Sequence, residues 1–559
     1  MVEAPTLDPA SHFLCAGGTA LRLRNSALAV AESGKPADGA CSLDERFASI
    51  EEGFVSLRLQ AVKNVTATWL GLAVHALVGF FLSPFILHRL GDEAFSLWIL
   101  IFALTGYFGL LDFGIRSSIV KYTAKFIAIN DTERLSRYLS TSLAFYTGVA
   151  VVIVLATTAA SFYLPSLFKI PEALLGLARI LFLLSGIGIA LTFPLGIFAG
   201  ALEGLQKFSW LQLSQIGITL LRGVLIVAAL MNGGGLLAIG TITVAINVLS
   251  YVIFACMALY VLPVRLSMRY VDGLVFREMA GYGVFAFAIL AAEKLRFQSD
   301  ALVIGALLSA TAITYFSIGA RLVEYASYAV RSMSQIFTPM SSQFHATGDL
   351  VSLRRIFVGG NRAGAFIVFP LCVTLIVLGK PIIEVWVGAR YVASYAVLVL
   401  LIIPRTLYLA QSTSIRILLG MGRHRALASV LLLEGMVNLI LSLLLVRRFG
   451  IVGVAWGTAI PLACTSVFFL PQHMCRILEM PLAVFLTRAY RLPLVLSAFQ
   501  AAVLWFVSRQ FPAHTYFGVG LQIASGGIVF CAGAYWALLN SGYSRPTSWH
   551  AFVQLLEPK

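Results

Sequence analysis

Long apolar segments alternate with short polar connections from about residue 64 almost to the C-terminus of this chain. Apolar runs longer than about 18 residues are typical of membrane-spanning helices, because about 20 apolar residues cross the hydrocarbon core of a bilayer. The pattern predicts about fourteen spans. They are expected near residues 64–88, 94–114, 139–163, 176–202, 209–231, 235–262, 279–304, 310–335, 357–379, 394–418, 426–446, 451–474, 492–508 and 515–539. The predicted fold class is therefore an all-α polytopic membrane protein.

The composition supports this assignment. The chain has 559 residues, of which 59% are hydrophobic and 12% are charged, and its mean hydropathy is +0.90. A soluble chain of this length would form several domains with a far more charged surface.

The basic residues are concentrated in alternate connections. The connections rich in Arg and Lys are 115–138, 263–278, 342–356, 423–425 and 475–491, and the intervening ones are nearly free of them. Because Lys and Arg accumulate in cytoplasmic loops, this alternation predicts that both termini are cytoplasmic. It also accounts for the net charge of +15 without a nucleic-acid partner.

Residues 1–60 differ from the rest of the chain, since they are small, polar and mixed in charge. Their apolar patches are too short for a signal peptide or a span. We predict a disordered extension here. The alternative is that translation starts nearer Val55 in the native protein.

The basic connection 115–138 has a counterpart in the second half of the chain. Phe126, Ala128, Asp131, Leu135 and Arg137 recur as Phe344, Ala346, Asp349, Leu353 and Arg355, all at a spacing of 218 residues. Gly204, Lys207 and Gly234 match Gly420, Arg423 and Gly450 at a spacing of 216. An offset of six spans preserves orientation, so the pattern predicts two parallel repeats.

The predicted organisation follows from this repeat. Residues 61–265 form an N-lobe of helices 1–6, residues 266–480 form a C-lobe of helices 7–12, and residues 481–559 add helices 13 and 14 and a tail. The longest connection is about 25 residues, which is shorter than a domain. Neither an enzyme with a separate catalytic domain nor a cofactor is therefore expected.

The cysteine and histidine patterns do not indicate metal binding. The seven cysteines include no CxxC motif, and the eight histidines include no HExxH motif. A disulfide framework or a zinc site is therefore not expected.

Ionisable residues occur inside the predicted spans, most densely in span 7. There Glu293, Arg296 and Asp300 fall within about 60° of one another on a helix, with Lys294 beside them. Arg296 and Asp300 are four residues apart and are expected to neutralise each other. A charged residue inside a span costs about 2.5–3.5 kcal/mol on insertion scales, which makes each one a functional candidate.

Two interpretations of these charges remain open. They can be internal ion pairs that hold helices together, which is the interpretation we favour for Asp112 with Arg116 and which also fits Arg321 with Glu324. Arg222 in span 5 and Arg405 in span 10 have no acidic residue within one helical turn in their own spans. Under the second interpretation, Arg222 and Arg405 line a water-filled cationic chamber between the lobes. The candidate substrate-binding residues are Arg222, Glu293, Lys294, Arg296, Arg321 and Arg405.

Several segments resemble the polysaccharide flippases of the multidrug/oligosaccharidyl-lipid/polysaccharide exporter (MOP) superfamily, the O-antigen (Wzx-type) translocases. The similarity extends over residues 57–540. It rests on LRLQAVKNVTATWLGL at span 1, LGDEAFSLWILIFALTGYFGLLDFGIRSSIVKYTAKF through span 2, Asp300-Ala-Leu-Val-Ile-Gly followed by Tyr315 and Arg321-Leu322, and Trp386-Val387-Gly388 before span 10.

The resemblance implies a two-lobed transporter that works by alternating access in the bacterial inner membrane. Its implied cargo is an undecaprenyl-diphosphate-linked oligosaccharide, carried to the outer leaflet for O-antigen, lipopolysaccharide or other surface polysaccharide assembly. The implied partners are this lipid-linked substrate, membrane lipid and other polysaccharide assembly proteins. A cationic central cavity is the pyrophosphate site that such a family implies.

The alternative function on the same fold is a cation-coupled multidrug exporter. Such a pump needs a carboxylate that exchanges cations in the first lobe, whereas Asp112 is the only acidic residue within the predicted first-lobe spans. A glycan polymerase or acyltransferase is a third class, for which the short connections leave little room.

Overall fold

The computed structural model describes residues 43–540, with side chains from Thr66 onward except at 282–286, 329, 331–332, 424, 538 and 540. The chain divides into two units, Met1–Lys63 and Asn64–Lys559, and the contacts below lie within the second. Of the predicted extension, residues 1–42 lie outside the described residues. Residues 43–60 belong to the first helix, which corrects the prediction of disorder for them.

The described part of the chain is all-helical, as predicted. Its helices are α1 (Leu43–Leu90), α2 (Asp92–Gly106), α3 (Ile115–Ala128), α4 (Thr132–Leu167), α5 (Leu175–Gly204), α6 (Phe208–Met231), α7 (Leu236–Val261), α8 (Gly273–Phe297), α9 (Ser299–Leu307), α10 (Ala310–Ser334), α11 (Phe337–Ala346), α12 (Leu350–Val387), α13 (Ser394–Ala410), α14 (Ser412–Gly420), α15 (His424–Cys464), α16 (Leu470–Ile477), α17 (Leu482–Gln510) and α18 (Tyr516–Asn540). A 3₁₀ helix (Tyr107–Asp112) separates α2 from α3, and a π-helical turn (Thr465–Phe469) joins α15 to α16.

The predicted number of fourteen spans is not confirmed. Among the described residues, ten helices are long and apolar enough to cross a membrane, or eleven if α13 and α14, which bend by 43°, form one span. Predicted spans 11 and 12 lie in one helical run, Arg425–Ile477, which is kinked where Gly450 adopts a φ of 59°. Predicted span 7 is broken at Gln298, between α8 and α9.

The basic connections of the two halves are shorter than predicted. Residues 115–138 are helical except for a turn at 129–131, and residues 342–356 are helical except for a turn at 347–349. The basic side chains therefore sit on helix ends rather than in loops. We call the end of the bundle that carries these two turns the basic end.

The predicted repeat is confirmed at these two turns. The backbone N–H of Asp131 donates to the Phe126 carbonyl at 2.9 Å, and that of Asp349 donates to the Phe344 carbonyl at the same distance. The Asp131 carboxylate caps α4 by accepting from the N–H of Arg134 at 3.0 Å, as the Asp349 carboxylate caps α12. A short carboxylate on the residue just before a helix satisfies an amide that has no partner within the helix, which is why both copies use Asp.

The second set of repeat positions also recurs in space. In each copy, the helix that precedes the second matching position (Lys207 or Arg423) ends at a glycine. Gly204 ends α5 and Gly420 ends α14. A Cβ at Gly204 would lie 2.7 Å from the carbonyl oxygen of Val120, and one at Gly420 would lie 2.5 Å from that of Thr338. Val120 and Thr338 are themselves 218 residues apart. The Gly234–Gly450 match is less regular, since Gly233 rather than Gly234 has a positive φ.

The three largest buried apolar clusters hold the described helices together. One consists mainly of first-half residues, such as Ile119 and Leu202, together with Met279 of α8. A second belongs to the second half and includes Phe357 and Leu418. The third combines both halves and includes the C-terminal parts of α1 and α12, such as Leu87 and Ile383, far along their helices from the basic end. The two halves therefore share a core at the end opposite the basic turns.

Candidate functional site

Charged side chains from three helices meet in a group that we call the mid-depth cluster, composed of His75, Arg222, Arg321, Glu324 and Tyr328. Arg321 Nη1 lies 3.3 Å from Glu324 Oε2, and the Tyr328 hydroxyl donates to Glu324 Oε1 at 3.1 Å. His75 is close enough for the charges of Arg222, Arg321 and Glu324 to act on it. Its ring also meets that of Tyr328 edge-to-face, with the centroids 6.1 Å apart.

The mid-depth cluster lies between the two halves. His75 is on α1 and Arg222 on α6, both from the first repeat, whereas Arg321 and Glu324 are on α10 of the second. Arg222 and Arg321 stand close to the middle of helices of 24 and 25 residues. The side chains of Arg321 and Glu324 are 44% and 47% exposed. Because exposure of a charge to lipid at this depth is costly, these side chains are expected to face water between the halves.

The charge balance of the mid-depth cluster favours an anion. Two arginines are set against one carboxylate, and Glu324 pairs with Arg321 rather than with Arg222. Two guanidinium groups present planar forks of N–H donors, which match the oxygens of phosphate or carboxylate groups.

Arg296 and Arg405 do not lie in the mid-depth cluster. Arg296 is 1% exposed and its Nε lies 2.6 Å from Glu434 Oε1 on α15. Arg405 is buried next to the same carboxylate. Its Nε donates to Ser327 Oγ at 3.3 Å, and its guanidinium carbon lies 4.3 Å from the centre of the Phe297 ring. The structure thus corrects the prediction that Arg405 faces a water-filled chamber, because helix packing encloses it.

The prediction that Arg296 forms an ion pair with Asp300 is wrong. The break at Gln298 ends the helical register that would have placed the two side chains one turn apart. Asp300 instead accepts hydrogen bonds from the Thr458 hydroxyl at 3.0 and 3.1 Å, and Thr458 also contacts Asn438. Asp300 therefore belongs to a buried polar group that joins α9 to α15.

Glu293 and Lys294 also lie apart from the mid-depth cluster. Glu293 is exposed on α8. The Lys294 side chain runs along the 3₁₀ helix of the first half, with Cε 3.8 Å from a Cβ placed at Gly109. The Tyr107 hydroxyl donates to the Lys294 carbonyl at 3.4 Å. Lys294 thus marks a contact between the interrupted second span and the interrupted seventh span.

The predicted ion pair of Asp112 with Arg116 is also corrected. The Arg116 side chain forms its ion pair with Glu203 at the end of α5, at 2.7 Å. Asp112 accepts instead from the Arg116 backbone N–H at 3.4 Å and from the Tyr146 hydroxyl. The left-handed residues Phe113 and Gly114 turn the chain between Asp112 and Arg116, so the two side chains point to different helices.

Some residues of the interface between the halves were not identified from the sequence. Asp92, at the start of α2, accepts hydrogen bonds from Arg390 and Tyr391 of the second half. Its carbonyl accepts from the Thr314 hydroxyl at 3.0 Å. The sequence offered two signals. Asp92 is an acidic residue just before a predicted span, and Arg390 and Tyr391 directly follow the Trp386-Val387-Gly388 segment. No group of three or more His, Cys, Asp or Glu side chains in the described ranges is placed to hold a metal ion.

The sequence of this chain is similar to a known protein family and to a bacterial membrane protein. A family model described as "Polysaccharide biosynthesis protein" matches residues 86–396. The uncharacterized membrane protein EpsK of Bacillus subtilis (strain 168) is 23% identical over 428 residues, covering 74% of this chain and 83% of EpsK.

Solved structures share the fold. The lipid II flippase MurJ, in an inward closed conformation, superposes with a TM-score of 0.67 at 16% identity, covering 86% of this chain and 99% of MurJ. A multidrug resistance MATE family transporter of the MOP superfamily, in an inward-facing conformation, gives a TM-score of 0.61 at 14% identity, covering 76% of this chain and 98% of that one.

Proposed function

Because this chain belongs to the polysaccharide biosynthesis protein family and is a multi-pass membrane transporter with the fold of the MOP superfamily, we propose that it flips undecaprenyl-diphosphate-linked oligosaccharide. The movement is from the inner to the outer leaflet of the bacterial inner membrane, by alternating access. In the same proposal both termini are cytoplasmic and other polysaccharide assembly proteins are its partners.

The observation that carries this proposal is the position of Arg222 and Arg321. They come from opposite halves and lie near the middle of their helices, and both charges are close enough to act on His75. A diphosphate between them would exchange water for two guanidinium forks, and Glu324 would give up its pairing with Arg321 to the incoming anion. The arginines on both sides of the passage would let either half hold the headgroup while the other moves.

The membrane potential supports outward movement of such a headgroup. With the cytoplasm negative, each negative charge moved outward gains about 2.3 kcal/mol per 100 mV. The sequence contains no P-loop motif GxxxxGK[ST] for nucleotide hydrolysis.

A cation-coupled multidrug exporter is the second candidate, since MATE transporters share the fold. The structure gives this candidate less support in the first half, because Asp112 is held by the Tyr146 hydroxyl and a backbone amide. Drug-resistance assays in a pump-deficient host would separate the two functions.

The proposal predicts that Arg222→Gln and Arg321→Gln each reduce flipping by at least about tenfold, because each removes charged hydrogen bonds to the diphosphate. Arg222→Lys and Arg321→Lys should restore part of it, since the charge remains and the fork is lost. The measurement is complementation of a deletion strain, scoring surface glycan and lipid-linked oligosaccharide left inside.

Arg488→Gln is the matched control, because Arg488 is exposed on α17, outside the mid-depth cluster. Normal surface glycan in both the Arg222→Gln and the Arg321→Gln strains, at normal protein levels, would contradict the proposed site.

A further inference from the structure

Five aromatic rings form a continuous series beside the mid-depth cluster, which we call the ring column. It consists of Trp386, Phe80, Tyr325, Tyr328 and His75. Trp386 stacks on Phe80 with the ring centroids 5.1 Å apart, and Phe80 meets Tyr325 at 5.9 Å. Tyr325 meets Tyr328 at 6.3 Å, and Tyr328 meets His75 at 6.1 Å.

The ring column joins the two halves beside the arginines of the mid-depth cluster. His75 and Phe80 are on α1, Tyr325 and Tyr328 on α10, and Trp386 at the end of α12. Tyr325 and Tyr328 follow Arg321 by four and seven residues, so they share its face of α10. A ligand held by Arg321 therefore has aromatic rings as its immediate neighbours.

We propose that the ring column is the saccharide subsite of the transporter, an inference that rests on the proposed function. A sugar ring presents an apolar C–H face and a polar hydroxyl edge. Tyrosine and histidine offer the complement, an apolar ring with a polar tip. Arg222 and Arg321 hold the diphosphate, and the glycan attached to it packs on the rings beside them.

The exposure of the rings gives this subsite a direction. His75 is exposed and Tyr325 and Tyr328 are half-buried, whereas Trp386 is 2% exposed. The far end is closed by the Trp386 Nε1 hydrogen bond to the Phe80 carbonyl, at 2.7 Å. The glycan meets His75, Tyr328 and Tyr325 first, and Phe80 and Trp386 become available only when the two halves separate at that end.

Aromatic rings rather than bare hydrogen-bonding groups suit a moving cargo. Stacking on a ring is tolerant of which sugar is present and of small shifts along the face, while the hydroxyl group of Tyr328 adds a directional contact at the edge. The Tyr328 hydroxyl is coupled to the ion pair through Glu324. Displacement of Glu324 from Arg321 by a diphosphate would therefore also move the acceptor of this hydroxyl.

The test uses the purified full chain in proteoliposomes with two probes. The first is lipid-linked oligosaccharide extracted from the deletion host, and the second is undecaprenyl diphosphate without sugar. Tyr325→Leu and Tyr328→Leu should each slow transfer of the first probe by about fivefold, the value of a lost aromatic contact. Tyr325→Leu should leave transfer of the second probe within about twofold, because Tyr325 is not part of the mid-depth cluster. The Tyr325→Phe variant keeps the aromatic ring, so it should transfer the first probe at nearly the wild-type rate.

Tyr260→Leu is the control, because Tyr260 is 88% exposed on α7, remote from the passage residues. Equal slowing of both probes by Tyr325→Leu, or unchanged transfer of the first probe in both leucine variants, would overturn the saccharide subsite. Equilibrium dialysis of the free oligosaccharide tests it without transport, with weaker binding expected for both leucine variants and equal binding counting against it. A wild-type protein that moves neither probe would contradict the proposed function instead.

Discussion

Arg296 and Glu434 form an ion pair whose side chains are 1% and 3% exposed. Their burial, with Arg405 close to the same carboxylate, distinguishes them from the exposed pair of Arg321 and Glu324. A buried pair fixes helices to one another, because separating its partners would leave a charge without compensation. An exposed pair at mid-depth can exchange its partner for a ligand. Residues of the same types thus have different roles according to what surrounds them.

At this scale we predict that Glu434→Gln lowers the free energy of unfolding by about 3–5 kcal/mol, because it leaves Arg296 buried without its anion. The double variant Arg296→Met/Glu434→Leu should recover part of that loss, since neither charge then remains. Thermal unfolding of the detergent-solubilised protein measures both effects.

The surface pair of Glu479 with Arg354 supplies the control. The Glu479 side chain is 75% exposed, so Glu479→Gln should change stability by less than about 1 kcal/mol. Equal effects of Glu434→Gln and Glu479→Gln would show that the buried pair has no structural importance.

At the scale of helices, duplication is visible in the backbone rather than in the charges. Both copies contain a helix, a left-handed residue, an aspartate cap and a long second helix. The left-handed residue is Asn130 in the first copy, with a φ of 54°, and Gly348 in the second, with a φ of 71°. Both residue types tolerate this conformation, so the turn persists although its side chains differ.

Close packing of the two copies depends on Gly204 and Gly420. A methyl group at Gly204 would approach the Val120 carbonyl oxygen to 2.7 Å, and one at Gly420 would approach the Ser341 hydroxyl to 2.1 Å and the Thr338 carbonyl oxygen to 2.5 Å. We predict that Gly204→Ala and Gly420→Ala each destabilise the protein by about 1–3 kcal/mol, because the backbone of α3 or α11 would have to move away.

Gly217→Ala is the matched control for this pair. Gly217 lies inside α6 and a Cβ there would meet nothing within 4 Å. Alanine should therefore leave stability unchanged or raise it by up to about 1 kcal/mol, through its better helix propensity. If thermal unfolding showed that Gly217→Ala destabilises the protein as much as Gly204→Ala and Gly420→Ala do, the packing argument would be refuted.

At the scale of the whole molecule, related contacts from the two repeats join the halves at the end opposite the basic turns. After α4, the Lys169 N–H donates to the Gly305 carbonyl at 3.1 Å and its ammonium to the Leu307 carbonyl at 2.9 Å. After α12, Arg390 and Tyr391 donate to Asp92. The segments around Lys169 and Arg390 follow the corresponding long helix of each repeat. These contacts join the halves at that end, whereas Arg321 and Glu324 of the mid-depth cluster remain exposed.

This arrangement predicts that Asp92→Asn weakens closure, because a neutral amide cannot pair with Arg390 and the Asp92 side chain is only 5% exposed. In a variant free of native cysteines, a cysteine replacing Glu324 should then react several-fold faster with a membrane-impermeant thiol reagent added from outside intact cells. Glu384→Gln serves as control, since Glu384 is 42% exposed and lies 3.8 Å from His514 rather than between the halves. Unchanged labelling in Asp92→Asn cells would mean that Asp92 does not hold this end closed.

Hydrophobic length and the spacing of matching residues were sufficient to predict an all-helical membrane protein and its repeat. These properties are local, since a run of apolar residues or an aspartate after a turn acts through its own segment. The count of fourteen spans was not confirmed. The break at Gln298, inside predicted span 7, depends on packing that a hydropathy pattern does not contain, whereas the kink at Gly450 lies in the connection predicted between spans 11 and 12.

The sequence by itself determined which residues could carry charge inside the membrane, and only the tertiary structure decided which of them meet. Arg296 faces Glu434 across 138 positions of the chain and Arg116 faces Glu203 across 87, distances at which helical periodicity has no predictive value. Local periodicity fixes the side of a helix on which a charge lies. The partner on that side is chosen by the packing of other helices, and this choice separates the enclosed Arg296 and Arg405 from the accessible Arg222 and Arg321.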